Sequence, residues 1–167
     1  MIGHLCNIDG QIVPEAEAMV PVLDRGFLFG DSVYEVLRTR DGIPFTWSEH
    51  LARLRSSAEG IQLDLQLDDR ELMRRVVETL KAAMRQREPS EECYIRIVVT
   101  RGTGTAPNIG MQFAPGPNRT LLIVRPQPDA SGKPTRLALI PRLRNDRRAL
   151  DPAIKSGNYL NLSLIHI

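Results

Sequence analysis

The stretch SVYEVLRTRDGIPFT, residues 32–46, constrains the fold more than any other. Val33, Glu35 and Leu37 alternate with Tyr34, Val36 and Arg38, and Asp41-Gly42 then turns the chain back. A period of two marks a strand whose sides meet different environments, and Asp-Gly suits a two-residue hairpin turn. The same signal occurs in LCNIDGQIV, where Asp9-Gly10 separates two apolar runs. ECYIRIVVTRG alternates again, with Cys93, Ile95, Ile97 and Val99 on one face and Tyr94, Arg96 and Val98 on the other. RTLLIVRP, residues 119–126, reads as a further strand. The sheet these pieces build is antiparallel, because hairpin turns join neighbours head to tail.

Between the strands lie two helical patterns. TWSEHLARLRSSAEGIQL opens with Thr46-x-x-Glu49, a capping-box signature, and Trp47, Leu51, Leu54 and Ala58 follow at helical spacing until Gly60. LDDRELMRRVVETLKAAMRQRE starts with Asp68 and Asp69 and carries a stripe of Leu72, Val76, Leu80 and Ala83. Acidic residues at its start and arginines at its end complement the helix dipole. DRGFLFGD, with Gly26 and Gly30, reads as a loop pressed against a neighbour, and residues 102–118 as a long Gly/Pro-rich loop. DASGKP reads as a linker and TRLALIPRLR, residues 135–144, as a new strand beyond it. The expected fold is α+β: a small N-terminal antiparallel sheet with two helices over residues 1–130, then the first strands of a larger, truncated domain over 131–167.

At 167 residues, 42% hydrophobic and 25% charged, the chain is long enough to bury a core. No run approaches the roughly 18 apolar residues that span a bilayer, and the start lacks a basic then apolar leader pattern, so a cytoplasmic protein is expected. Cys6 and Cys93 have no partner spacing and read as reduced core thiols. His4, His50 and His166 have no metal-ligand spacing, and no P-loop or Gly-x-Ser-x-Gly elbow is present. A basic nucleic-acid-binding module is a different class to weigh, on RLALIPRLRNDRR; a net charge of only +2 and a single tryptophan speak against it.

Lysine is scarce: only Lys81, Lys133 and Lys155, among many arginines. A neutral lysine amine condenses with carbonyls, and burial among apolar groups favours the neutral form. Lys155, after Ala153-Ile154 and before a Ser-Gly-Asn-Tyr turn, suits that role as well as that of a solvated loop lysine. His50 and Arg53 share a helix face, and Arg53 can present a planar fork to a phosphate or simply to water. If the strands of Tyr34–Arg38 and Tyr94–Arg96 are neighbours, two tyrosines and two arginines converge. That makes either a floor for a small anion or an ordinary half-exposed sheet face.

Taken together, four segments resemble the fold-type IV (class IV) aminotransferases, which use pyridoxal 5′-phosphate and include branched-chain and D-amino-acid aminotransferases and aminodeoxychorismate lyases. They are DRGFLFGDSVYEVLRTRDGIPF, EHLARL with its His-x-x-Arg-Leu pattern, CYIRIVVTRG and ALDPAIKSGNYLN, in the family's order. The resemblance implies that Lys155 holds the cofactor covalently and shuttles the Cα proton. It likewise implies that Arg53 binds the cofactor phosphate, that Tyr159 lies near the cofactor's phenolic oxygen, and that Tyr34, Arg38, Tyr94 and Arg96 line the substrate pocket. It implies transamination between an amino acid and a 2-oxo acid, no metal, and a homodimer. YIR and the arginine of YEVLR resemble the branched-chain group, while FGDSVYEV and VVTRG resemble the D-amino-acid group. RGTGTAPNIG lacks the Arg-x-His that the D-enzymes carry after that strand. An L-branched-chain transaminase acting with 2-oxoglutarate is the expectation, with a D-amino-acid transaminase or a lyase as alternatives. Past Asn161 the resemblance is expected to stop. LSLIHI matches no expected continuation, and the chain is expected to be a C-terminally truncated, inactive fragment that lacks the carboxylate facing the pyridine nitrogen.

Overall fold

The computed structural model describes residues 2–85, 88, 91–128, 132, 134 and 138–166. Six strands form one antiparallel sheet: β1 (Leu5–Ile8), β2 (Gln11–Pro14), β3 (Ser32–Arg40), β4 (Ile43–Pro44), β5 (Cys93–Thr100) and β6 (Arg119–Pro126). Their order is β2-β1-β6-β5-β3-β4. Both Asp-Gly pairs make the turns expected of them. Asp9 and Gly10 have φ of 52° and 100°, and Asp41 and Gly42 have 54° and 77°, the left-handed backbone a tight hairpin needs.

The alternation sets which side is covered. Val33 of β3 pairs with Val99 of β5, and Leu37 with Ile95, so the apolar members share one face. Helices α2 (Trp47–Gly60) and α3 (Asp69–Ala83) pack on that face and bury Leu54, Ala58, Leu72, Val76 and Leu80 against Ile95, Ile97, Leu122 and Val124. Each large aliphatic side chain withdrawn from water there contributes about 1.5–3 kcal/mol before entropy is counted. Asp68 caps α3, its carboxylate accepting from the Glu71 amide at 2.7 Å. Cys6 and Cys93 are both buried.

Three expectations fail locally. Residues 25–29, loop-like in sequence, form a short helix, α1 (Arg25–Phe29), because Asp24 caps its start and Gly30, at φ 67°, closes its end. The Thr46/Glu49 capping box is not made: Thr46 sits at φ 49° with no side-chain cap bond, and Glu49 accepts from its neighbour Ser48 instead. The strand expected over 135–144 is absent among the described residues 138–144, which carry no regular structure, and residues 135–137 lie outside the description. Most of the 129–134 linker lies outside it too. The chain instead ends in a helix not expected from the sequence, α4 (Leu160–His166). No helix among the described residues is long and apolar enough to cross a membrane.

Candidate active site

Strand β4 pairs only with Thr39 and Arg40, which leaves the first half of the β3 edge open. Residues 155–157 fill it as a short extra strand. Ser156 bridges Val33, the Tyr34 amide donates to the Lys155 carbonyl at 3.0 Å, and the Gly157 amide to the Ser32 carbonyl at 2.8 Å. From the helix side, the Lys155 amide donates to the hydroxyl of buried Ser57 at 3.1 Å. Small residues let the segment lie this close. A Cβ on Gly157 would stand 2.2 Å from Ser32 Oγ, and one on Gly60 2.7 Å from Ile154 Cδ1. Gly30, left-handed, is pressed against the Asn158 backbone.

The Lys155 amine projects over Tyr34. Its Nζ lies 3.4 Å from the Tyr34 hydroxyl and 4.4 Å from the ring centroid. The Arg96 guanidinium stacks on the same ring at 4.2 Å, and Tyr159 meets it edge-on with centroids 5.4 Å apart. Tyr34 is thus a buried ring in contact with both the Lys155 amine and the Arg96 guanidinium. Burial, with Tyr159 beside it, pushes its hydroxyl well above the usual phenol range, so it stays protonated at neutral pH.

Arg53 is oriented from the other face. Its Nε and Nη2 fork the Glu35 carboxylate at 2.5 and 2.6 Å, and His50 Nδ1 lies 2.8 Å from the same group. Burial alone would raise the pKa of Glu35; the Arg53 fork and His50 outweigh it and hold the carboxyl below its ordinary value. The side chain of Glu35 has no exposure while that of Arg53 is 53% exposed, so the guanidinium still faces solvent.

The register places Arg38 opposite Tyr94 and Val36 opposite Arg96, so Tyr34, Arg38, Tyr94 and Arg96 do share one face, the one without helices. They do not form one cluster. Tyr34, Arg96 and Tyr159 gather at Lys155. Arg38, four residues along β3 and therefore about 13 Å away, lies over the Phe45 ring. Tyr94 lines a separate hollow of about 480 Å³ with Arg96, Arg125, His4 and Glu15. Glu35 and Ser57 are site residues that sequence reasoning missed. An acid on the otherwise apolar Val33-x-Glu35-x-Leu37 face was the available signal for Glu35; Ser57 carried none, because its role depends on a segment 98 residues away.

This lysine-bearing edge strand, with an arginine held on the helix behind it, accompanies a family match. The model of the class IV amino-transferases covers residues 32–166. The chain belongs to the class IV aminotransferases. The match reaches past Asn161, where the resemblance was expected to stop. A protein of Methanocaldococcus jannaschii, provisionally described as a branched-chain-amino-acid aminotransferase, is 36% identical over 164 residues, 96% of this chain and 54% of its own length. A D-alanine aminotransferase of Bacillus licheniformis is 41% identical over 94 residues, 56% of this chain and 31% of its own. Among solved structures, the branched-chain aminotransferase of Thermoproteus uzoniensis with norvaline superposes with a TM-score of 0.80 at 26% identity, over 97% of this chain and 54% of the other. The T.th. branched-chain amino acid aminotransferase with pyridoxamine 5′-phosphate gives 0.74 at 28% identity, over 97% and 53%. The chain spans about half the length of these full-coverage relatives. Class IV aminotransferases work with pyridoxal 5′-phosphate. The donor set here fits that cofactor: an amine for its aldehyde, a half-exposed guanidinium for its phosphate, and a hydroxyl that stays protonated beside the amine.

Proposed function

We propose that this chain carries the lysine and phosphate-binding part of a transaminase site acting on branched-chain L-amino acids with 2-oxoglutarate. The observation that carries the reading is the placement of the Lys155 Nζ, held at the sheet edge over a buried tyrosine and without a carboxylate partner among the described residues. In this reading Lys155 is the covalent anchor, Arg53 binds the phosphate, and Tyr159 lies beside the ring. Arg96 and Tyr34 receive the substrate carboxylate, while Arg38 and Tyr94 lie further out, toward the substrate side chain or a second subunit's site. The bound cofactor supplies an electron sink for the Cα carbanion.

The chain's own residues do the rest. Lys155 takes the Cα proton and returns it, and the Tyr34 hydroxyl 3.4 Å away hydrogen-bonds the free amine between those transfers. Arg96 offers its guanidinium to an incoming carboxylate because its partner among the described residues is a ring, which leaves its donors open. Glu35 keeps Arg53 aimed. A domain boundary near residue 130 and a homodimer complete the proposal. The D-alanine aminotransferase similarity favours a second reading, D-amino-acid transamination.

The test is a half-reaction. Chain loaded with pyridoxal phosphate gains a visible absorbance band, and L-leucine bleaches it while D-alanine does not. Bleaching by D-alanine alone selects the second reading, and no band at all rejects both. Steady turnover of leucine with 2-oxoglutarate at the pace of a full-length enzyme is not expected of these 167 residues alone.

A further inference from the structure

His50 stands three residues before Arg53 on α2 and shares its buried partner. Its Nδ1 lies 2.8 Å from Glu35 Oε2 and 3.2 Å from Arg53 Nη2. The two contacts assign the tautomer. Glu35 has no exposure, and against the cost of that burial Arg53 and His50 hold its carboxyl below the ordinary value, so it is ionised at neutral pH. A bare Nδ1 at 2.8 Å would set a lone pair against a carboxylate oxygen. The contact therefore carries a proton, and Nδ1–H donates to Oε2. Arg53 Nη2 donates to the same oxygen at 2.6 Å, which is why the two nitrogens come close: two donors converge on one acceptor. The proton that His50 can gain or lose is then the one on Nε2. That nitrogen has no hydrogen-bond partner among the described residues and is not one of the buried unpartnered atoms, so it reaches water.

The surrounding charges decide what that proton does. Among the described residues, the charged groups that meet His50 are Glu35 from β3 and, from its own helix, Arg53 and the neighbouring Glu49. Glu49 is exposed, and water screens it. Glu35 and Arg53 cancel. With His50 neutral, the cluster of three carries no net charge, and the guanidinium meant for a phosphate is already matched by a buried carboxylate. Arg53 Nη1 makes no hydrogen bond among the described residues and is the edge left for an anion. An anion on that guanidinium, itself 3.2 Å from the imidazole, adds negative charge that the cluster does not balance. A proton on Nε2 balances it, because a nearby opposite charge favours the charged form of a histidine.

We propose that His50 is a proton-linked positioning residue for the cofactor phosphate: it helps Glu35 aim Arg53, and it takes up a proton from solvent at Nε2 when the phosphate meets Arg53. The inference rests on the transaminase reading, through the role given there to Arg53. Its consequence has a definite sign. The phosphate strengthens the hold of His50 on its proton, so the phosphate's contribution to cofactor retention weakens as pH rises through the range in which imidazoles lose their charge.

The test uses the intact 167-residue chain, fixed by borohydride once with pyridoxal phosphate and once with pyridoxal. The Cε1–H resonances of His4, His50 and His166 are titrated in both adducts, and His50→Asn identifies the His50 line. The midpoint of His50 is about 1 pH unit higher in the phosphate-bearing adduct, while His4 and His166 do not move. Asn keeps an N–H donor for Glu35 but cannot titrate. The ratio of pyridoxal to pyridoxal phosphate dissociation constants therefore falls between about pH 6 and 8.5 by more in wild type than in His50→Asn, the difference approaching tenfold. The proposal is overturned if the His50 midpoint is equal or lower with phosphate, if all three histidines move together, or if the ratio changes alike in wild type and His50→Asn. An adduct on Lys81 or Lys133 rejects the transaminase reading and this proposal with it; an adduct on Lys155 with an unmoved His50 rejects the proposal alone. Should His50→Asn fail to fold, through-bond assignment of the histidine lines keeps the midpoint comparison decisive.

Discussion

Two arginines approach the same strand from opposite sides of the sheet, and the structure treats them differently. Arg53 comes from α2 and is clamped to Glu35 by two short hydrogen bonds. Arg96 stands on the open face, held against the Tyr34 ring and in no ion pair among the described residues. Burial makes the difference. Glu35 is wholly enclosed by the helix layer, and an unpaired carboxylate there would be costly, so one arginine is committed to it. On the open face no such demand exists, and Arg96 rests on a ring instead. One face supplies rigidity and aim; the other supplies free chemical groups. Lys155 sits on the edge between them.

The largest break in that contrast comes from the covered face itself. Ile97→Ala, beneath both helices, costs about 3–4 kcal/mol in urea unfolding, whereas Arg96→Ala, next to it in β5 but on the open face, costs under about 1 kcal/mol. Equal losses would mean that the open face is packed as tightly as the helix-covered one. Next in size is Arg53→Met, which strands Glu35 with only His50. A deep site loses about 3–5 kcal/mol on such a cut, and the water at Arg53's outer half reduces this to about 2 kcal/mol.

The titration of Glu35 sharpens the same comparison. Its folded pKa lies below the unfolded carboxylate value of about 4.3. Its contribution to stability is therefore present above about pH 4.3 and lost as pH falls through the folded value. Acid-limb unfolding curves of Glu35→Gln are flatter than wild type below that pH; superimposable curves would show that the clamp adds nothing. Smallest of all is Lys155→Met, expected to change stability by under about 0.5 kcal/mol, because Lys155 docks through its backbone amide and carbonyl, which the substitution keeps.

Much of this was legible in the sequence because it is local. The Asp-Gly turns, the period-two strands and the α3 stripe depend on neighbours a few residues apart, and all formed where expected. The pairing of β3 with β5 is only conditional in sequence, yet it decides whether the four candidate residues Tyr34, Arg38, Tyr94 and Arg96 share a face. What escaped was non-local or competed for. Thr46 lost its capping role because the backbone there turns left-handed to leave β4. DRGFLFGD became a helix through Asp24 and Gly30, whose capping geometry looks like a loop in sequence. Arg53 reads in sequence as a free phosphate fork, while its two strongest bonds go to Glu35, 18 residues earlier. That Tyr34, Arg96 and Tyr159 gather at Lys155 while Arg38 and Tyr94 do not follows from the distance along β3, which the spacing already contains.

The central claim is that Lys155 is the cofactor-bearing amine and that its placement, not mere lysine chemistry, makes it so. The chain offers a direct comparison, since Lys81 and Lys133 are its only other lysines. Incubation with equimolar pyridoxal phosphate, borohydride reduction and peptide mapping should find the label on Lys155 in large excess over the other two. Arg53→Met should lower it, and removal of the phosphate by using pyridoxal should lower it likewise. Equal labelling of Lys81, Lys133 and Lys155, unaffected by Arg53→Met, would contradict the account.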